Sequence, residues 1–305
     1  MNRIVGVILV VVLIILAYLS WARAPLDDQL LRVSDRAVVS LPEIVADLKK
    51  ARLVFVGEHH DQELHHQAQL EVIRRLYDSG VPVAVGLEMF RRDSQAPLDQ
   101  WVKGEIGEEA FRKIYLDNWG LPWTLYRDIF VLARDRKIPL VGLNVPGETT
   151  RQIAREGFAS LTPEQLGDVP AVSCVVDDAY AAFIRRSLGL HAHGEMNFTR
   201  FCEAQLFWDT AMAWNALRFL KDHPSFTMVV IAGSGHAWKR GMPAQVTTRA
   251  PLPFRVILPE IPGRLDRETV RLDDTDYLWL ALLHPNLSDS PGVGSMTSRT
   301  RCQCR

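Results

Sequence analysis

Histidines and acids are concentrated in one short stretch of this chain. Four of its nine histidines fall within eight residues of GEHHDQELHH, which begins at Gly57, directly after the apolar run 53–57. Carboxylates and imidazoles can exchange protons near neutral pH, and both also ligate metal ions. A solvated loop would tolerate such residues without using them, whereas a strand end would direct Glu58, His59 and His60 into a site.

Apolar runs elsewhere predict the strands that would position these side chains. The runs are rich in valine and isoleucine and are continuous rather than alternating, which is typical of parallel strands buried on both faces. We therefore predict an α/β fold, with a mostly parallel central sheet flanked by helices. The five runs are 53–57, 81–89, 138–145, 227–233 and 254–259, and 276–283 could add an edge strand.

Chemically useful residues follow four of these runs. In open α/β sheets, ligands bind where the strands end at their carboxyl edge. Glu88 ends the second run, Asn144 ends the third, and His236 follows the fourth. Each residue alone is more typical of an ordinary loop, but together they favour one shared site. Glu58, His60 and His236 are the predicted catalytic residues if the protein is an enzyme, and the same three are candidate ligands for a divalent metal.

A helix predicted from Asp61 to about Tyr77 carries a polar pair on its apolar face. His65 and Gln69 lie one turn apart there, and each buried polar group left unpaired costs about 1–3 kcal/mol. The pair could be hydrogen-bonded within the core, or it could form the wall of the strand-end site. His59 and His66 are expected to be partly exposed.

A second polar position lies on a long helix predicted at about 199–221. Asp209 lies there among aromatic residues, where it could orient a histidine or ligate a metal, or form an ordinary ion pair. Another helix is predicted at 126–136. The stretch 149–204 contains short helical pieces, with a helix start at Thr162, and is interpreted as a helical insertion.

The two ends of the chain differ from its body. Residues 4–19 are uncharged and apolar, so 1–24 are predicted to be a signal-anchor, with a cleaved signal peptide as the alternative. Either would deliver the domain at 25–285 across a membrane, and 286–305 are predicted to be disordered. The four cysteines, Cys174, Cys202, Cys302 and Cys304, allow three full disulfide pairings. A net charge of -1 gives no basic surface for nucleic acid, so no such partner is expected.

Seven ordered motifs between 53 and 243 make this chain similar to the ChaN-like haem-binding proteins, iron-regulated lipoproteins of bacterial envelopes. That family resembles a wider superfamily with the Tiki proteases, TraB-type proteins and erythromycin esterases, whose Gly-x-x-His motifs match Gly57 to His60 and Gly233 to His236. The motifs are GEHHDQELHHQAQ (57–69), VGLEMF (85–90), NWGLPWTLYRDIF (118–130), PLVGLNVP (139–146), HGEM (193–196), QLFWDTAMAW (205–214) and GSGHAWKRGMP (233–243).

The resemblance implies haem as cofactor and partner, a role in haem and iron uptake, and a homodimer that packs two haems together. Candidate haem ligands are Tyr126, Tyr180, His191 and His193. The chain lacks the cysteine that anchors the lipoproteins, so its N-terminal segment is expected to hold it in the membrane, facing the periplasm. The superfamily also implies an alternative function, a hydrolase using the same pocket, and a scaffold without activity is the third reading.

Overall fold

A computed structural model describes residues 28–191, 197–262 and 264–280, with side chains except at 186–191. Its centre is one eight-stranded sheet in the order β2-β1-β8-β7-β3-β6-β4-β5. Six strands run parallel to their neighbours in the section from β8 to β5, which confirms the predicted α/β fold. The strands are β1 (Gln29–Arg32), β2 (Ala37–Ser40), β3 (Leu53–Glu58), β4 (Val83–Arg91), β5 (Leu140–Asn144), β6 (Thr227–Gly233), β7 (Phe254–Pro259) and β8 (Tyr277–Trp279).

Helices cover both faces of the sheet. One face packs against α1 to α5, where Val72, Leu76 and Phe130 join the core, and the other packs against α9 and α11, which bury Ala216 and Val246. The helices are α1 (Leu41–Leu48), α2 (Glu63–Asp78), α3 (Gln95–Lys103), α4 (Glu108–Asn118), α5 (Trp123–Arg136), α6 (Gly147–Glu156), α7 (Pro163–Leu166), α8 (Asp178–His191), α9 (Phe198–Asp222), α10 (Ser234–Ala237) and α11 (Met242–Arg249).

The register of the central strands brings the two histidine motifs together. β3 lies between β7 and β6, and Glu58 at its end pairs with Gly233 at the end of β6. β4 is the next strand beyond β6, and every residue of β3 and β6 is buried. Because parallel strands end on the same edge, the residues following β3, β4 and β6 share one side of the sheet.

The edge strand predicted at 276–283 is placed differently by the structure. β8 is an interior strand, because β7 pairs with one side of it and β1 with the other. The β1–β2 hairpin is not among the predicted elements, and its strands have only four residues each. Such short strands carry too little apolar pattern to be recognised.

Three helices and a disulfide occupy the stretch predicted as an insertion. α6, α7 and α8 lie there, with Thr162 capping α7, and the Cys174–Cys202 disulfide joins the segment before α8 to α9. In the described part of the chain, no helix is long and apolar enough to cross a membrane. The predicted anchor at 1–24, the tail at 286–305 and His193 lie outside the described residues.

Candidate acid–base site at the strand ends

Glu58 is the buried centre of one half of the site. Its carboxylate Oε1 lies 2.7 Å from His60 Nδ1, and Oε2 lies 3.0 Å from His66 Nδ1. The hydroxyl of Tyr126 donates a third hydrogen bond to Oε1. Burial raises the pKa of Glu58, but the hydrogen bonds from the two imidazoles outweigh burial and hold this pKa well below its usual range. The carboxylate is therefore ionised at neutral pH.

The two histidines bound to Glu58 differ in exposure. His66 is buried, with its ring 4.1 Å from that of Tyr126 and its Nε2 3.1 Å from the carbonyl oxygen of His60. The prediction that His66 is exposed was wrong, because α2 begins at Glu63 and its first turn carries His66 beneath the end of β3. His60 exposes 39% of its side chain, so it can meet a ligand.

The charge of His60 is set by the acids around it. Burial lowers the pKa of the imidazole, but the hydrogen bond to Glu58 and the charge of Glu88 outweigh burial and raise that pKa to about 9. His60 is therefore protonated at neutral pH. It forms a cationic, partly exposed group directly above a buried carboxylate.

The other half of the site is built on His236, in α10. Its Nδ1 lies 2.6 Å from Asp209 Oδ1 and 3.1 Å from the side-chain amide nitrogen of Gln205, both on α9. Tyr180 donates from its hydroxyl to the second oxygen of Asp209 at 3.2 Å. Burial raises the pKa of Asp209. In His236 burial lowers the pKa, but the charges of Glu88 and Asp209 outweigh it and raise the pKa overall.

Glu88 lies between the two imidazoles. Its Oε1 is 3.6 Å from His236 Nε2, and its Oε2 accepts the backbone N–H of Gly233 at 2.6 Å. A Cβ built on Gly233 would lie 2.8 Å from His60 Cε1 and 3.7 Å from Glu88 Oε2, so His60 and Glu88 meet above this glycine. Asn144 donates to the carbonyl oxygen of Glu88 at 2.6 Å and thereby fixes the end of β4. The structure thus brings Glu58, His60, Glu88, Asp209 and His236 together at one edge of the sheet.

His65 and Gln69 support the site from behind. His65 Nδ1 accepts the backbone N–H of His59 at 2.8 Å, and Gln69 donates to the carbonyl oxygen of Val56 at 3.1 Å. No hydrogen bond joins the two side chains, and His65 Nε2 and Gln69 Oε1 have no partner among the described residues. Burial and the charge of His66 lower the pKa of His65 to about 4, so this imidazole is neutral. His65 therefore holds the loop after β3, and Gln69 holds β3 itself.

Neither candidate tyrosine fits as an axial ligand for haem iron. Tyr126 is fully buried and Tyr180 is 2% exposed, and both hydroxyls donate to carboxylates. Ligation by tyrosine needs the phenolate, but burial together with Glu58 raises the pKa of Tyr126, and burial together with Asp209 raises that of Tyr180. These contacts have no signal in the sequence, since Tyr126 and Glu58 are far apart along the chain. The side chain of His191 lies outside the described part of the structure.

The geometry of the described residues gives no support to the metal site predicted on Glu58, His60 and His236. No group of three or more histidine, cysteine, aspartate or glutamate side chains in that part of the chain is arranged to hold a metal ion. Glu58 is instead hydrogen-bonded to both His60 and His66, and Asp209 is hydrogen-bonded to His236.

Comparison with known families assigns the fold that holds this site. The family model described as haem-binding uptake, Tiki superfamily, ChaN matches residues 44–246. This chain belongs to the ChaN family. The match runs from α1 into α11 and includes both halves of the strand-end site. Among curated proteins none matches the sequence.

One solved structure shows the same fold, and two others have lower TM-scores. The ChaN of Campylobacter jejuni, whose structure is described as showing cofacial haem binding, is 19% identical with a TM-score of 0.63, covering 82% of this chain and 95% of that one. The type III effector HopBA1 is 14% identical with a TM-score of 0.45, covering 78% and 90% of the two chains. Erythromycin esterase EreC is 17% identical with a TM-score of 0.45, covering 73% and 76%. At 19% identity, the likeness to the Campylobacter jejuni protein concerns the fold alone.

Proposed function

We propose that this protein binds haem in the manner of its family and serves haem or iron uptake at the bacterial cell envelope. The observation that carries the proposal is the family match over 44–246, which spans most of the described fold. The cofacial haem binding named for the Campylobacter jejuni protein supports a homodimer in which two haems face each other. Bound haem would supply an iron atom that could ligate a protein side chain and change its oxidation state.

The axial ligand is proposed to come from His191 or His193. Both tyrosine candidates are buried and donate their hydroxyl hydrogens to carboxylates, so neither offers a phenolate. A neutral imidazole ligates haem iron without the deprotonation that a tyrosine needs. Glu58 and Asp209 hold the two tyrosines in place and are not expected to contact haem.

The proposed location is the membrane surface facing the periplasm, with the N-terminal segment as anchor. The uncharged apolar run at 4–19 supports an anchor. The Cys174–Cys202 disulfide supports an oxidising compartment, since disulfides persist there and are rare in the cytosol. Membrane fractionation of the full chain and of a chain beginning at Asp27 tests the anchor. Recovery of the intact full chain in the soluble fraction would contradict it.

A haem titration tests the cofactor. The Soret band should sharpen and shift with saturation, and His191→Ala or His193→Ala should change the spectrum of the complex. Tyr126→Phe and Tyr180→Phe should leave it unchanged and serve as controls. Absence of saturable binding at micromolar protein would refute haem binding, and a changed spectrum in a tyrosine variant would refute the ligand assignment. Sedimentation with and without haem tests the dimer.

A hydrolase is the second candidate, and the strand-end geometry favours it. His60 and His236 are each hydrogen-bonded at Nδ1 to a buried carboxylate, and Glu88 lies between their rings. The Glu88 carboxylate, beside His236, could take a proton from a water molecule, while protonated His60 could give its proton to the leaving group. Haem capture does not require this arrangement.

A panel of ester and amide substrates tests the second candidate. Glu58→Gln should abolish any hydrolysis found, because it removes the carboxylate that holds His60 protonated, while haem binding persists. His59→Ala is the matched control, since His59 contacts exposed Asp61 rather than the site. Full activity in Glu58→Gln would exclude this site as the catalyst.

A further inference from the structure

One short segment covers the His236 half of the site. This covering segment, residues 172–185, places the Tyr180 hydroxyl on Asp209 and the Tyr180 ring 5.9 Å from that of Trp238. Phe183 lies against the backbone beside His236, because a Cβ built on Gly235 would come within 2.9 Å of its ring. His236 is only 8% exposed beneath this cover. Access to His236 from the side of Tyr180 and Phe183 therefore depends on where the covering segment lies.

Two attachments hold the start of the covering segment. The Cys174–Cys202 disulfide joins it to α9, where Cys202 is fully buried. The Asp177 carboxylate accepts from Arg240 at 2.9 Å and from the backbone N–H of Tyr180 at 2.7 Å, so it pairs with Arg240 and caps α8 at once.

The residues that precede α8 have little regular structure. Residues 167–177 form neither helix nor strand, and Val175, beside the disulfide, is 86% exposed. A segment with few backbone hydrogen bonds and exposed side chains belongs to the least stable part of a fold. The position of residues 172–177 is therefore expected to depend on the two attachments, together with the packing of Val172 and Val176 against α8 and α9.

We propose that the Cys174–Cys202 disulfide is a thiol-sensitive fastening of the covering segment, and that its reduction uncovers His236. The inference goes beyond the proposed function, since it holds whether the site acts in hydrolysis or only adjoins haem. The reductant is a dithiol of the kind that disulfide-exchange proteins carry. Cys174 is the accessible partner, because its neighbours Ser173 and Val175 are exposed.

The thiol–disulfide exchange proceeds in two steps. A thiolate of the dithiol attacks Sγ of Cys174, the Cys174–Cys202 bond breaks, and Cys202 leaves as a thiolate that takes up a proton. The second thiol of the reductant then displaces Cys174 from the mixed disulfide. The protein gains two thiols and two electrons, and the reductant becomes a disulfide. Of the two attachments, only the Asp177–Arg240 ion pair remains after reduction.

Hydrogen exchange measured by mass spectrometry tests the proposal on the full chain. Cys302→Ser and Cys304→Ser are introduced first, so that a dithiol can act only on the Cys174–Cys202 pair. Reduction should raise the exchange rate of amides in 172–185 about tenfold or more, while those of β6 stay protected. Reoxidation should restore the slow rate, and Cys174→Ser with Cys202→Ser should reproduce the reduced state.

A second readout follows His236 itself. Acylation of its ring by diethyl pyrocarbonate should be slow in the oxidised protein and faster after reduction, with exposed His59 as the internal reference. Arg240→Ala should enlarge both effects of reduction, because the remaining attachment is then missing. Unchanged exchange in 172–185 after complete reduction would overturn the proposal. Loss of protection throughout β6 would also overturn it, since the disulfide would then hold the whole fold.

Discussion

His60 lies directly on the backbone of Gly233, so the two Gly-x-x-His motifs of this chain touch each other. A Cβ at Gly233 would come within 2.8 Å of Cε1 and 3.1 Å of Nε2 of the His60 ring. The contact exists because β3 and β6 are neighbours whose ends, Glu58 and Gly233, are in register. A glycine at this position lets an imidazole bonded to Glu58 approach Glu88 without a steric clash.

Gly233→Ala should therefore displace the His60 ring. We expect the free energy of unfolding to fall by about 1–3 kcal/mol, the range for one added methyl group in a packed site. The measurement is denaturant unfolding, with NMR of the His60 ring to show its displacement. Gly120→Ala is the matched control, since a Cβ there meets nothing within 4 Å. Equal stabilities of the two variants would show that His60 does not rest on Gly233.

The free energy of unfolding, measured as a function of pH, should report the titration of His60 on the alkaline side. Its pKa is about 9 in the folded protein and 6.5 when unperturbed, so the folded state holds the proton more tightly. This contribution to stability is fully present below pH 6.5 and is lost as the pH rises through 9. In His60→Gln the loss between these values should shrink relative to the parent. His59→Gln should keep it, and an unchanged alkaline limb in His60→Gln would contradict the assignment.

The acid limb should contain the opposite contribution from His65. Its folded pKa of about 4 lies below the unperturbed 6.5, so the unfolded chain binds the proton more tightly. The contribution is present above pH 6.5 and is lost as the pH falls towards 4. His65→Gln can still accept the backbone N–H of His59, and it should remove this loss in thermal unfolding scans between pH 7 and 4. An identical acid limb in the variant would show that His65 titrates normally.

The strands that carry the site, and the sheet edge they share, could be predicted from the sequence, but the contacts within the site were only partly predictable. The continuous runs predicted β3, β4 and β6 because burial on both faces demands apolar residues at every position. Tyr126 and Tyr180 reach Glu58 and Asp209 through the packing of distant helices, and no periodicity encodes such contacts.

Two errors of the sequence analysis have the same physical origin. His66 is predicted to be partly exposed because helical periodicity gives only the direction of a side chain around the helix axis. It does not show which turn of the helix packs under a strand. The strand β8 was placed at an edge because its partner β1 is too short to be recognised. The burial of His66 and the interior position of β8 both depend on the tertiary arrangement, which the local sequence pattern does not contain.

The Asp209–His236 pair provides the last prediction. Asp209→Asn should lower the pKa of His236, because it removes the buried negative charge that lies 2.6 Å from Nδ1 and favours the protonated ring. Tyr180→Phe should not lower it, since the Asp209 carboxylate remains and loses only the hydrogen bond from the tyrosine. A two-dimensional NMR titration of histidine-labelled protein measures both effects. Asp222→Asn, at the exposed end of the same helix α9, should leave the His236 titration unchanged. If Asp209→Asn leaves the pKa of His236 where it was, Glu88 alone sets the charge of this ring, and Asp209 serves only to pack α9 against α10.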